Sequence, residues 1–218
     1  ADGGKLEISQ SPGDMVFRDK ALVLEDRKNE LRFTVPDYRG DSGTVIFDFM
    51  PINWGGDNQK ENIVFLQSTD GTDGNFTLYK YADIPGIWLM TQEKLPDGKF
   101  KNQFPVMDRK ALIKLENGQY HQIALVWKYG SSVRVFLDGQ LIGEAGRAAF
   151  FPSDFSTLSV GRYSGAPARK KTAIRELIFD RRPFTDQEIK LYYSRSRDEN
   201  AQASLTILPL STATSIQT

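Results

Sequence analysis

The sequence predicts an all-β protein, a two-sheet antiparallel β-sandwich with one short C-terminal helix. Three observations carry that expectation. Short runs rich in β-branched and aromatic residues recur along the chain, Asp-Gly and Asn-Gly pairs punctuate them, and one segment near the C-terminal end carries a strong helix-start signal. At 218 residues the chain can bury one sizeable core, and sandwiches of this length are commonly a single domain. The expected unit spans 1–195, followed by a C-terminal strand and a Ser/Thr-rich tail or linker over 196–218.

The strand pattern falls on residues 5–9, 21–25, 30–35, 44–50, 62–67, 75–81 and 86–91, then on 120–128, 132–137, 140–144, 157–161 and 173–179. Turns separate them at Asp70-Gly71, Asp73-Gly74, Asp97-Gly98, Asn117-Gly118 and Asp138-Gly139. The clearest hairpin runs from Val133 to Gly143, where the two-residue Asp138-Gly139 loop supplies the positive φ angles of a type I′ turn. Alternation puts Val133, Val135 and Leu137 on one face and Arg134 and Phe136 on the other. In the preceding strand His121, Ile123, Leu125 and Trp127 share a face, and Tyr120, Gln122, Ala124, Val126 and Lys128 share its opposite. Both strands are expected to cover the core with one face and to offer the other to solvent or ligand.

The helix is predicted from Asp186 to about Ser194. Thr185 is its N-cap, Glu188 completes a capping box, and Phe184 and Ile189 stand at hydrophobic-staple positions. Ile189, Tyr192 and Tyr193 are spaced to dock one side of it onto a sheet edge. The polar run 196–200 follows, then a strand pattern at 204–208 and the tail 211–218, which reads as a linker.

Four motifs stand in order: Gly118-Gln119-Tyr120-His121-Gln122-Ile123-Ala124-Leu125-Val126-Trp127; Val133 to Gly139; Leu158-Ser159-Val160-Gly161-Arg162; and Ile174-Arg175-Glu176-Leu177, leading through Arg181-Arg182-Pro183-Phe184-Thr185 into the helix. Together they resemble the laminin-G-like/concanavalin A-like lectin-glucanase jelly-roll superfamily, from about Gly118 to Tyr193 and more weakly over 21–67. Gln122 stands where the pattern has a second His, and Arg175 where an Asp often precedes Glu176. The second departure weakens any carry-over of a calcium site using that carboxylate. The resemblance implies a concanavalin A-like jelly roll, in a family whose members serve as carbohydrate-binding modules, adhesion domains and enzyme accessories. Fold alone does not choose among them.

Composition narrows the function classes. The 28 basic residues balance 28 acidic ones, so neither nucleic acid nor an anionic membrane surface is expected as partner. Cysteine is absent, which excludes disulfides and thiolate chemistry. No apolar run is long enough for a membrane span. Ala1-Asp2-Gly3-Gly4 suits either signal cleavage just upstream or an arbitrary boundary, and the expected location is secreted, extracellular or periplasmic.

No enzyme is expected. Glycosidases on such sandwiches need carboxylates that flank one bond, and the nearest pair, Glu176 and Asp180, would stand about 13 Å apart in a regular strand, beyond the roughly 5–9.5 Å of either mechanism. His121 is the only histidine and falls on the apolar face, where a satisfied core histidine is expected rather than a base. No Gly-x-Ser-x-Gly elbow occurs. No cofactor is expected. A structural calcium ion is conceivable at Asp70, Asp73 and Asn75, but two consecutive turns explain these residues without one.

Sugar sites need aromatic faces flanked by hydrogen-bonding side chains. If Phe76, Leu78, Ile87 and Leu89 point inward, Tyr79, Tyr81, Trp88 and Met90 point outward; Trp54 and Asn58 lie in an open polar loop. The alternative for Trp54 and Trp88 is peripheral core. A second cluster, Arg162, Tyr163, Arg169 and Lys170, with Arg147 nearby, has the charge for uronate or sulfate groups, or is a solvated basic loop. The sequence therefore predicts a non-catalytic carbohydrate-binding module of a secreted bacterial polysaccharide-degrading protein, next to a catalytic domain, with acidic glycans favoured by the basic cluster. The alternative is a protein-binding, adhesion or structural accessory domain.

Overall fold

Strands with one apolar face must bury it against another layer, and two stacked sheets are the usual solution. The computed structural model of the chain describes residues 16–18, 21–24, 31–34, 41–53, 63–80, 86–107, 115–147, 149–160 and 171–198. In chain order its elements are β1 (Val16–Arg18), β2 (Ala21–Leu24), β3 (Leu31–Thr34), β4 (Ser42–Pro51), β5 (Ile63–Thr69), β6 (Gly74–Lys80), β7 (Ile87–Lys94), β8 (Phe100–Met107), β9 (His121–Lys128), β10 (Ser132–Leu137), β11 (Gln140–Ala145), β12 (Thr157–Val160), β13 (Thr172–Asp180) and α1 (Asp186–Asp198). Seven strands form one sheet in the order β1-β2-β13-β4-β9-β10-β11, and six form the other in the order β3-β12-β5-β6-β7-β8. The described pairings are antiparallel. The expected β-sandwich with one short helix is what forms.

Two strands go beyond the sequence expectation, β1 and β8. The strands expected at 5–9 and 204–208 lie outside the described residues. The core between the sheets takes Phe47, Phe49, Ile123, Leu125, Val133 and Val135 from the larger sheet and Leu66, Phe76, Leu78, Ile87, Leu89 and Leu158 from the smaller. At its centre the Trp127 ring meets Phe76, Phe151, Phe155 and Phe179 at centroid distances of 6.3, 5.4, 5.9 and 6.3 Å. In the β10–β11 hairpin Asp138 and Gly139 have φ of 49° and 72°, the positive pair that a type I′ turn needs. Gly139 has a second duty: a Cβ there would lie 3.1 Å from Tyr193, so its bare backbone lets α1 approach the turn.

The expectation that β9 offers a face to solvent or ligand does not hold, and on β10 Phe136 is covered as well, while Arg134 stays partly exposed. His121–Trp127 is buried on both faces, because α1 lies across the outer side of the larger sheet. Ile189 and Tyr192 pack there against Ile46, Ala124, Val126, Phe136 and Ile178, so the helix docks on the sheet face and not on its edge. Its start is built as the sequence indicated: Glu188 N donates to Thr185 Oγ1 (3.2 Å), Thr185 N donates to the Glu188 carboxylate (2.7 Å), and the staple residues Phe184 and Ile189 join one apolar cluster. The helix continues to Asp198, past the 195/196 boundary expected from sequence, with Arg195 and Arg197 in its last turn, where cations complement the helix dipole. Thr185→Ala is expected to cost about 1 kcal/mol, read as a lower urea midpoint, with Thr185→Ser retaining most of it.

Between two apolar clusters on that outer face lies a buried polar group. The Asp48 carboxylate accepts Arg175 Nε and Nη2 at 3.2 and 3.1 Å and Gln122 Nε2 at 3.3 Å, and the Arg175 guanidinium lies 3.7 Å from the Tyr120 ring centroid. Both departures from the jelly-roll sequence pattern, Gln122 and Arg175, thus serve one carboxylate. Burial pushes the Asp48 carboxyl above its ordinary range, more than Arg175 and Gln122 pull it down.

The next residue, Glu176, has φ of 49° and sits in a β-bulge where the β13–β4 register shifts. Regular alternation would turn Glu176 toward the core; the bulge inserts it as an extra residue, and Leu177 takes the place opposite Phe47. The same bulge breaks the regularity on which a shared face for Glu176 and Asp180 depended. Asp180 instead accepts the backbone N–H of Arg182 at 2.8 Å in the turn before α1.

Candidate functional site: the outer face of the six-stranded sheet

With one sheet capped by α1, the outer face of the other carries a group of partly exposed described side chains on β6, β7 and β8. Phe76, Leu78, Ile87 and Leu89 are fully buried in the core, so their alternates on β6 and β7 face outward, as the sequence pattern indicated. Tyr79 and Trp88 are register partners there with ring centroids 6.3 Å apart, and the Trp88 ring meets Phe104 of β8 edge-on at 5.9 Å. Tyr79, expected as an outward ligand contact, is 7% exposed, so it backs Trp88 more than it presents its own ring. Trp88 is partly exposed and Phe104 is 42% exposed.

Beside this aromatic row runs a polar one. Asn75, Gln92 and Asn102 are successive register partners on β6, β7 and β8, and Gln92 Nε2 donates to Asn102 Oδ1 at 3.1 Å. Met90 lies between Trp88 and Gln92 on the same face of β7. Among the described outward residues of β6, β7 and β8 there is no carboxylate, and Lys94 is the single ionised side chain. Such a face can stack on apolar surface and exchange hydrogen bonds with neutral polar groups.

Of the other residues proposed from sequence for ligand contact, Trp54, Asn58, Tyr81, Arg162, Tyr163, Arg169 and Lys170 lie outside the described residues. Arg147 donates Nε to the Gly130 carbonyl at 3.0 Å. Phe104, Phe100 and Asn102 were missed, because β8 itself was not anticipated. The signal was present in Phe100-Lys101-Asn102-Gln103-Phe104, whose even positions read as one face of a strand following the Asp97-Gly98 turn.

The Asp70 to Asn75 turn is occupied by protein contacts. Asp73 accepts the Ser153 N–H with both oxygens at 3.1 Å, Asp70 accepts the Thr69 hydroxyl at 3.1 Å, and Asn75 Oδ1 accepts the Gly71 N–H at 3.5 Å. Asp154 in turn accepts Thr72 N and Oγ1 at 2.7 and 2.8 Å. Among the described residues no group of three or more His, Cys, Asp or Glu is placed to hold a metal ion. His121 lies on the core side with Ile123, its Nδ1 2.8 Å from Asp138 Oδ2 and its ring 5.8 Å from Phe49. Its Nε2 is shielded from solvent. No described helix is long and apolar enough to cross a membrane.

No protein-family model matches the chain, and no curated protein sequence matches it. Solved structures do. The receptor-binding domain of botulinum neurotoxin D is 9% identical with a TM-score of 0.66, over 88% of this chain and 48% of that one. The botulinum neurotoxin serotype D ligand binding domain in complex with N-acetylneuraminic acid is 10% identical with a TM-score of 0.65, over 88% and 46%. The botulinum neurotoxin serotype G binding domain is 11% identical with a TM-score of 0.67, over 91% and 48%. The likeness is one of fold. The chain spans about half the length of the structures it matches.

Proposed function

We propose that this chain is a non-catalytic carbohydrate-binding module of the laminin-G-like/concanavalin A-like jelly-roll type, and that it binds glycan on the outer face of its six-stranded sheet. The observation that carries the reading is the Trp88–Phe104 corner backed by Tyr79 and bordered by the amides of Gln92 and Asn102, a ring-stacking surface beside hydrogen-bonding side chains. Two further supports are the sandwich likeness to receptor- and ligand-binding domains, one of them in complex with a sugar, and the four ordered sequence motifs. The module acts outside the cell or in the periplasm as part of a secreted polysaccharide-degrading protein, beside a catalytic domain, with Trp54, Asn58, Tyr81 and Tyr163 as further ligand contacts and the basic residues Arg162, Arg169 and Lys170 favouring acidic glycans.

Affinity electrophoresis against neutral and acidic polysaccharides tests this. At least one polysaccharide is expected to retard the protein, and Trp88→Ala and Phe104→Ala each to weaken retardation about 10-fold, as truncation of an aromatic anchor does. No retardation by any polysaccharide, or unchanged retardation of both variants, ends the proposal. A second reading, a protein-binding accessory domain, draws on the exposure of Phe100 and Phe104 on one strand, at 51% and 42%. It predicts no retardation at all.

A further inference from the structure

The amide pair on β7 and β8 has a chemistry of its own. When Gln92 Nε2 donates to Asn102 Oδ1, the pair still offers one amide oxygen, on Gln92, and one amide NH2, on Asn102. Exchanging oxygen and nitrogen in both side chains leaves the same complement, an acceptor beside a donor. The two side chains are held by adjacent strands in register, about 5 Å apart in backbone. Gln92 is half-buried and Asn102 is exposed, so the pair is fixed at its base and open outward. Each is followed along its own strand face by an apolar group, Met90 beside Gln92 and Phe104 beside Asn102.

An acceptor and a donor side by side, next to apolar surface and with no carboxylate among the described outward residues of these strands, are complementary to a secondary amide, which brings an N–H, a C=O and a methyl group. We infer that this site recognises 2-acetamido sugars: Asn102 donates to the acetamido carbonyl, Gln92 accepts its N–H, and Met90 and Phe104 take the methyl. The inference rests on the glycan reading above and adds its substrate class. A sugar with a hydroxyl in place of the acetamido group would lose one hydrogen bond and the methyl contact. The absence of outward carboxylates among the described residues of β6, β7 and β8 fits an uncharged group of this kind, since no ionised acid competes for its N–H.

Isothermal titration of the whole chain with an N-acetylglucosamine tetramer and a glucose tetramer of the same linkage decides the matter. The acetamido sugar is expected to bind at least ~10-fold more tightly. Asn102→Asp, which replaces the donor by an acceptor at an exposed position, is expected to bring the two within ~2-fold of each other by weakening the acetamido sugar alone, and Gln92→Leu to do the same. Equal binding of the two tetramers, or a preference that both variants keep, overturns the inference and leaves the glycan reading intact. So does binding of other polysaccharides with no response to the acetamido tetramer. If no glycan of any kind binds, the glycan reading fails and this inference with it.

Discussion

Arg175→Met is expected to remove about 3–5 kcal/mol of stability at neutral pH, among the larger losses a single substitution can cause here. Arg175 is 7% exposed, its partner Asp48 is 2% exposed, and the guanidinium also lies on Tyr120. Removing it leaves a carboxylate in the sheet with Gln122 as its remaining described hydrogen-bond donor. The loss carries a pH signature whose sign follows from the raised Asp48 carboxyl. A carboxyl whose folded pKa lies above its unfolded value of 3.8 favours the folded state when protonated; that contribution is full below 3.8 and is lost as pH rises through the folded value. Without Arg175 the folded value rises further and the window widens. Urea titrations at about pH 7 and about pH 4 should show the variant's deficit shrinking in acid. An equal deficit at both would mean that Asp48 is not the charge left stranded.

Trp127→Ala is expected to cost a similar about 3–5 kcal/mol by a different route, the loss of transferred area plus the cavity left behind. Trp127 is 1% exposed and its ring is walled by Phe76, Phe151, Phe155 and Phe179, which come from both sheets and from the segment before β12. Aromatic walls held by separate elements collapse poorly into a void, so the deficit should be pH-independent. Trp127→Phe should recover much of it. Measured side by side, the two variants separate a charge left unpaired from a hole left unfilled.

What could be read from sequence was what is local. The Asp138-Gly139 turn, the Thr185–Glu188 capping box and the inward set Phe76, Leu78, Ile87 and Leu89 depend on neighbours a few residues away, and each formed as the pattern indicated. The both-sided burial of β9 was not legible, because it depends on where α1 comes to rest. Asp48 and Arg175 are 127 positions apart, and nothing near either residue names the other; the single hint was one acid inside the apolar run 44–50. β8 escaped because Pro105 and alternating polar residues blur its pattern, and with it went Phe104 and Asn102, two residues of the candidate site. Trp88 was legible by alternation, whereas the backing role of Tyr79 needed the packing.

Gly143 on β11 marks a place where the two sheets touch at their rims. A Cβ there would fall 2.3 Å from Val106 Cγ1, a branched side chain with little room to yield. β8 is an edge strand, hydrogen-bonded to β7 on one side, and a free edge of this kind would ordinarily sample many positions. The rim contact braces it from beneath, so under the proposed glycan reading Phe104 and Asn102 are in place before a ligand arrives. Association with the proposed glycan would then forfeit little conformational entropy on the protein's side, and a shallow surface free of described carboxylates would hold it without first having to assemble itself.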